Sequence, residues 1–172
     1  IYASDSAIEI ATGAGKAFTD YDGIDGSNYS VKITGAGAMN LFGGMRGTDA
    51  VFEKTGAGTL TLQVNSSLAQ GLNRAALDVK DLTISAGDLS FATSGTLTLG
   101  ENYLMMRSSG TFTLSDALLA LNGTTFTTDT GYTFEYIIDA DGKTLSLTVT
   151  DYVPPPEPPT PPEPVDPTPT PE

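Results

Sequence analysis

Three copies of one glycine tetrad constrain this chain more than anything else in it. Thr-Gly-Ala-Gly stands at 12–15, 34–37 and 55–58, at spacings of 22 and then 21 residues. Around it the sequence repeats loosely as AIEIATGAGKAF, SVKITGAGAMNL and VFEKTGAGTLTL. Each copy is an alternating or apolar run, a glycine corner, and a second run. Units of this length are too small to bury an apolar face alone, so they stack on their neighbours into one continuous core. Two glycines two residues apart allow a corner that side chains would obstruct. The residues expected to carry the repeat are Thr12, Gly13 and Gly15, then Thr34, Gly35 and Gly37, then Lys54, Thr55, Gly56, Gly58, Thr59, Leu60 and Leu62.

Period-2 alternation dominates elsewhere, so the expected class is all-β. Strands are expected at 7–11, 29–34, 50–53 and 59–64, with corners at TGAG, DGIDG (22–26) and GGMRG (43–47). In TLTLQV, Leu60, Leu62 and Val64 share one face and Thr59, Thr61 and Gln63 the other, the pattern of a half-buried strand. Residues 66–76 read as a lateral loop or short helix that interrupts the coils, and 116–121 (DALLAL) as a wider corner. GTLTL at 95–99 and GTFTL at 110–114 echo the second half of the repeat. Near the end, Tyr132, Phe134, Tyr136 and Ile138 share one strand face opposite Leu145, Leu147 and Val149, across a turn closed by Gly142. A stack of coils needs its last strand edges and apolar end covered, and this hairpin is expected to be the cap. About six coils at roughly 4.8 Å each give a stack about 29 Å tall. The expected organisation is a solenoid over 1–131, a capping hairpin over 132–152, and a tail over 153–172.

The run Lys54-Thr55-Gly56-Ala57-Gly58-Thr59-Leu60-Thr61-Leu62 resembles the autotransporter-associated β-strand repeat, a K-x-G-x-G-T-L-x-L phrase. The copy at 31–41 has Lys32 earlier and Ala38-Met39 in place of Thr-Leu, and the copy at 12–18 keeps the glycines. The resemblance implies a right-handed parallel β-helix, part of the secreted or surface-displayed passenger region of a Gram-negative autotransporter. It implies a repeat that assists folding and export, an extracellular location, and a β-barrel or other anchor domain beyond the tail.

All eleven prolines lie between Pro154 and Pro171, whereas the last of the nineteen glycines is Gly142, which sets the boundary near Val153. Proline at that density withholds the donors that sheet or helix needs, so the tail is expected to be a polyproline II spacer. With neither an initiator Met nor a signal hydrophobic run at Ile1, and a linker at the end, the chain reads as an excised piece of a longer protein. No run approaches the roughly 18 to 20 apolar residues of a membrane helix, so no membrane insertion by this segment is expected.

The net charge is −13. Four acids sit in the tail, leaving 17 acids against 8 bases in the body. Phosphate backbones are repelled by such a surface, and no nucleic-acid partner is expected. Histidine, cysteine and tryptophan are absent, which removes Ser-His-Asp triads and thiolate chemistry. A glycosidase-type carboxylate pair is conceivable, but the acids lie at corners where turn geometry calls for Asp. A basic lyase cluster is not expected either, because Arg46, Arg74 and Arg107 stand at spacings of 28 and 33 that place them on no common ladder. Asp20–Gly26 imitates a calcium loop but has Ile24 at the fifth position and Val31 where a bidentate Glu belongs. The expectation is therefore no catalytic, cofactor or metal residues. A structural or interaction module comes first, and an adhesin binding a host-surface or matrix component comes second, with Tyr21, Tyr29 and Tyr103 as its candidate aromatics.

Overall fold

The computed structural model describes residues 7–27 and 29–156; most of the proline-rich tail expected at 153–172 lies outside them. The chain is all-β, with a ten-stranded and a four-stranded sheet. The strands are β1 (Ala7–Thr12), β2 (Ala17–Asp20), β3 (Ile24–Asp25), β4 (Ser30–Gly35), β5 (Ala38–Leu41), β6 (Met45–Lys54) and β7 (Leu60–Val64). After two 3-10 turns (Ser66–Leu68, Gln70–Leu72) come β8 (Leu77–Ile84), β9 (Leu89–Thr93), β10 (Asn102–Ser108) and β11 (Phe112–Leu114). A single-turn helix α1 (Asp116–Leu119) precedes β12 (Thr125–Thr127), β13 (Tyr132–Ile138) and β14 (Thr144–Tyr152).

The large sheet runs β1-β4-β6-β8-β10-β14-β13-β12, with β3 beside β6 and β11 beside β8; the small one runs β2-β5-β7-β9. From β1 to β10 the chain alternates between the two sheets, except that β3 and β4 follow one another in the large one, and every strand pair within that span is parallel. Parallel neighbours in register put like positions on top of one another, so the alternation in sequence becomes inward and outward ladders. Val31, Phe52 and Leu82 form one inward ladder that starts at Ile8 and ends at Phe112. Met39 and Leu60, with Leu41 and Leu62 beside them, form the facing ladders of the small sheet, all fully buried. Outside, Glu9, Lys32 and Glu53 alternate in sign, with Lys32 Nζ 3.3 Å from Glu53 Oε1.

The glycine corners lie between the two sheets and they stack. Gly37 N donates to Thr12 O at 2.8 Å, and Gly58 N to Gly35 O at 3.2 Å. A Cβ on Gly58 would overlap the Gly37 carbonyl, and Gly35 has a φ of +93° with no room over Thr12. These positions therefore need glycine for close backbone approach. The corners differ in length: residues 13–16 separate β1 from β2, 36–37 separate β4 from β5, and 55–59 separate β6 from β7. A fourth corner, Ser85-Ala86-Gly87-Asp88, joins β8 to β9 and places Gly87 over Gly56 and Gly58.

Several expectations are corrected. The large sheet contains five parallel strand positions, not six, before its direction reverses at β14. The strand expected at 50–53 extends to Met45, so Met45-Arg46-Gly47 of the expected GGMRG corner is strand. GTLTL at 95–99 is not a strand. Gly95 and Gly100 turn the chain at positive φ on either side of it, the Tyr132 and Tyr103 hydroxyls accept from Leu97 N and Thr98 N, and Leu97 is buried. Residues 116–121, read as a wider corner, begin as α1, capped by the Ser115 hydroxyl.

The terminal hairpin pairs in one antiparallel ladder with Phe134 opposite Val149, Tyr136 opposite Leu147 and Ile138 opposite Leu145. Its second strand, β14, lies directly on β10. Phe134, Leu145 and Leu147 are wholly buried, and Gly142 turns the chain at a φ of +65°. Phe126 stacks between Phe91 and Phe134, each centroid pair 5.6 Å apart. That aromatic file ties the hairpin to the last strand of the small sheet.

The glycine stack yields a graded prediction. Gly58→Ala, whose methyl would meet the backbone of the coil beside it, should lose about 2 kcal/mol or more of stability. Gly13→Ala, with open space around its added methyl, should stay within about 0.5 kcal/mol of the parent. Urea midpoints compare the two, and equal losses would contradict the close stacking.

Candidate functional site

Two local arrangements carry chemistry beyond packing, and both arise from register. The first is Lys54. Parallel pairing sets Lys54 opposite Ile33 and Ile84, so it falls in an inward ladder between aliphatic residues, 1% exposed. Lys32, the lysine of the preceding copy, pairs with Glu53 and faces out. Lys54 Nζ donates to Gly56 O at 2.6 Å and to Ala86 O at 2.8 Å, joining the third glycine corner to the fourth. The Lys54 carbonyl in turn accepts from Ser85 N at 2.9 Å. Glycine corners that turn inward leave carbonyls with no ladder partner, and the ammonium satisfies two of them. Burial pushes the Lys54 pKa below its ordinary value, with Asp88 opposing the shift.

The second arrangement is an outward ladder at the other end of β6. Asp25 pairs with Arg46, Arg46 with Asp78, and Asp78 with Arg107. Two of the three arginines thus share one ladder, contrary to the spacing argument. The insertion at 65–76 explains the miss. The register offset grows from 21 residues between Ile24 and Met45 to 32 between Met45 and Leu77. Asp78 accepts from Arg107 Nε at 3.1 Å and Nη2 at 2.5 Å, a bidentate pair that holds the Arg107 pKa above its ordinary value. Arg107 also reaches Asn73 Oδ1 at 2.5 Å, pinning the far end of the insertion. Arg46 has no such pair, and its Nε is buried without a hydrogen bond among the described residues.

Other candidates fall into structural use. Asp20 Oδ2 accepts from Gly23 N at 2.9 Å and Asp25 Oδ1 from Ser27 N at 3.1 Å, so the calcium-like segment spends two of its three carboxylates on turns. The second of these bonds lowers the Asp25 pKa. Among the described residues no three His, Cys, Asp or Glu side chains converge as a metal site. Tyr103, a candidate sugar-stacking residue, is 1% exposed and donates no free face; Tyr21 is open and packs at a tilt on Phe42. Burial raises the Tyr136 phenol pKa, its hydroxyl is buried without a hydrogen bond among the described residues, and the residue lines a cavity of about 370 Å³ with Phe91, Phe126 and Thr125.

No protein family, curated protein or solved structure matches this chain.

Lys54 generates a prediction with a sign. Lys54→Met leaves the Gly56 and Ala86 carbonyls unpartnered, and the expected loss is about 1–3 kcal/mol near neutral pH. The depressed pKa means that, between the folded and unfolded titrations of Lys54, the unfolded chain holds the extra proton. Stability therefore rises with pH through that window. The gap between parent and variant, measured by urea unfolding from about pH 7 to the ordinary lysine range near 10.5, should widen. A gap that narrows would contradict the lowered Lys54 pKa.

Proposed function

We propose that this chain is a structural module, a right-handed parallel β-helix of autotransporter-passenger type, displayed on a Gram-negative cell surface or secreted. One observation carries the reading: the chain alternates between two sheets while its glycine corners pair in parallel, each over the one before. That connectivity is what a coil produces, and parallel strands with a crossover in one sheet are right-handed in nearly all proteins. The K-x-G-x-G-T-L-x-L phrase supports the family assignment through Lys54, whose position immediately before the corner lets it bond two coils at once.

The proposed role is to fold outside the cell and to hold its shape. Each coil contacts only its neighbours, so order spreads from a nucleus without the whole chain being present. The aromatic hairpin of β13 and β14 is the proposed nucleus, because it pairs antiparallel and locally and covers the β10 edge on which preceding coils build. Local contacts close with less entropy loss than distant ones and form first. The proline-rich tail then serves as a spacer toward an anchor or translocating domain.

Protease added to intact cells of the producing organism should remove an antibody-detected body of this protein. Protection on intact cells, with cleavage only after lysis, would contradict display. Separately, deletion of 132–152 should abolish cooperative refolding from urea. Full recovery of the far-ultraviolet β signal at the parent rate would remove the hairpin as nucleus.

A further inference from the structure

The insertion between β7 and β8 arches over the corner where the small sheet hands the chain back to the large one. Beneath it lies a cleft of about 270 Å³ whose lining includes Arg46, Arg74, Gln63, Asn65, Ser67 and Asp22. Its chemistry departs from that of the whole molecule. The body carries 17 acids against 8 bases, yet this lining holds two guanidiniums and the single carboxylate of Asp22.

Neither guanidinium forms an ion pair among the described residues. Arg46 lies between Asp25 and Asp78 on its ladder, but both carboxylates are engaged. Asp25 is bonded to Ser27 N, and Asp78 is held in the two-point pair with Arg107. Arg46 Nε is shielded from water and bonded to nothing, which is uncommon for a buried charged donor. Arg74 is exposed and makes no ion pair. Burial, and next the nearby charge of Arg74, push the Arg46 pKa down, with Asp78 opposing the shift, so the two cations feel each other. An anion between them would relieve that repulsion.

The cleft is also held in shape before any ligand arrives. Leu68 anchors the insertion in the core, Asn65 Oδ1 accepts from both Ser67 N and Ser67 Oγ, and Ala69 bridges to Tyr103. Arg107 grips Asn73, the residue before Arg74, through Asn73 Oδ1 and its carbonyl. With its oxygen committed to Ser67, Asn65 has only its amide nitrogen left to offer. The two guanidiniums thus outnumber the one carboxylate of the lining, Asp22, and a guanidinium fork suits the oxygens of carboxylate, sulfate or phosphate.

We propose that the cleft under the 65–76 insertion is a binding site for a small oxyanion group, clamped between Arg46 and Arg74. The carrier is a sulfated or carboxylated saccharide or a free inorganic anion, which share this chemistry. The site stands apart from the surface-display reading and does not depend on it.

The test follows the Arg46 side-chain Nε–Hε resonance, assigned with Arg46→Lys, during titration with sodium sulfate, phosphate or glucuronate. Chloride holds the ionic strength constant. The expected result is a saturable shift with at least one of the three, weakened at least about tenfold in Arg74→Gln. Arg74 is exposed, so its replacement leaves the core intact, and Lys32→Gln on the outer ladder should leave the titration unchanged. Saturation by glucuronate alone assigns a carboxylated saccharide; saturation by sulfate or phosphate alone assigns a tetrahedral anion. Shifts that never saturate, or that are the same in Arg74→Gln, would overturn the site.

Discussion

The structure depends on backbones that approach closely and in register at the glycine corners. A parallel pair of strands fixes the spacing of its coils, but nothing in the pairing alone says where the chain must turn. Glycine supplies that instruction, because at Gly35, Gly56 and Gly58 any side chain would meet backbone of the adjacent coil. Once the corners coincide, the strands on either side are locked. A slip by one residue would carry Phe52, Leu60 and Leu62, all fully buried, to the solvent face. The apolar ladders provide the driving force. The corners make only one register able to use it.

Lys54 shows how a coil can differ from its neighbours and tighten the stack. In an all-aliphatic ladder the corner carbonyls would face the interior unpaired. An ammonium long enough to reach Gly56 and Ala86 satisfies them at the cost of burying a charge. The cost is moderated because the charge sits against carbonyl dipoles and near Asp88. At the other corner, the insertion at 65–76 breaks strict periodicity and creates surface chemistry. It changes the offset between coils, brings Arg46, Asp78 and Arg107 onto one ladder, and arches over the polar cleft. Regular repeats supply the frame, and the irregular one supplies the polar cleft.

Much of this was legible in the residues. Alternation placed β4, β7, β8 and β13 close to where they lie, the TGAG tetrads marked the corners, and the aromatic stripe from Tyr132 marked the last antiparallel pair. The misses have physical causes. GTLTL at 95–99 has the composition of a strand, but its amides are taken by two tyrosine hydroxyls, contacts that only the tertiary structure creates. Lys54 looked like part of a phrase; that it points inward follows from pairing with Ile33, which needs the register to be known. The arginines seemed unrelated because ladder membership is a property of offsets, and one insertion changed the offset. SAGDLSF at 85–91 was a readable fourth corner, since Ala86-Gly87 and Leu89 echo Ala57-Gly58 and Leu60.

The central claim is that successive repeats pair in parallel register, and distances along an outward ladder measure it most directly. Thr19, Asn40, Thr61 and Ser90 are consecutive partners in the small sheet, and the chain contains no cysteine to interfere with labelling. Nitroxide pairs at Thr19 and Thr61, and at Asn40 and Ser90, bracket one intervening strand each, so their α-carbons should lie about 9.6 Å apart. Strong dipolar broadening of the continuous-wave spin-resonance spectrum in both pairs is the predicted result. Sharp spectra matching the sum of the single labels would show that the coils are not stacked in this register, and would contradict the account at its base.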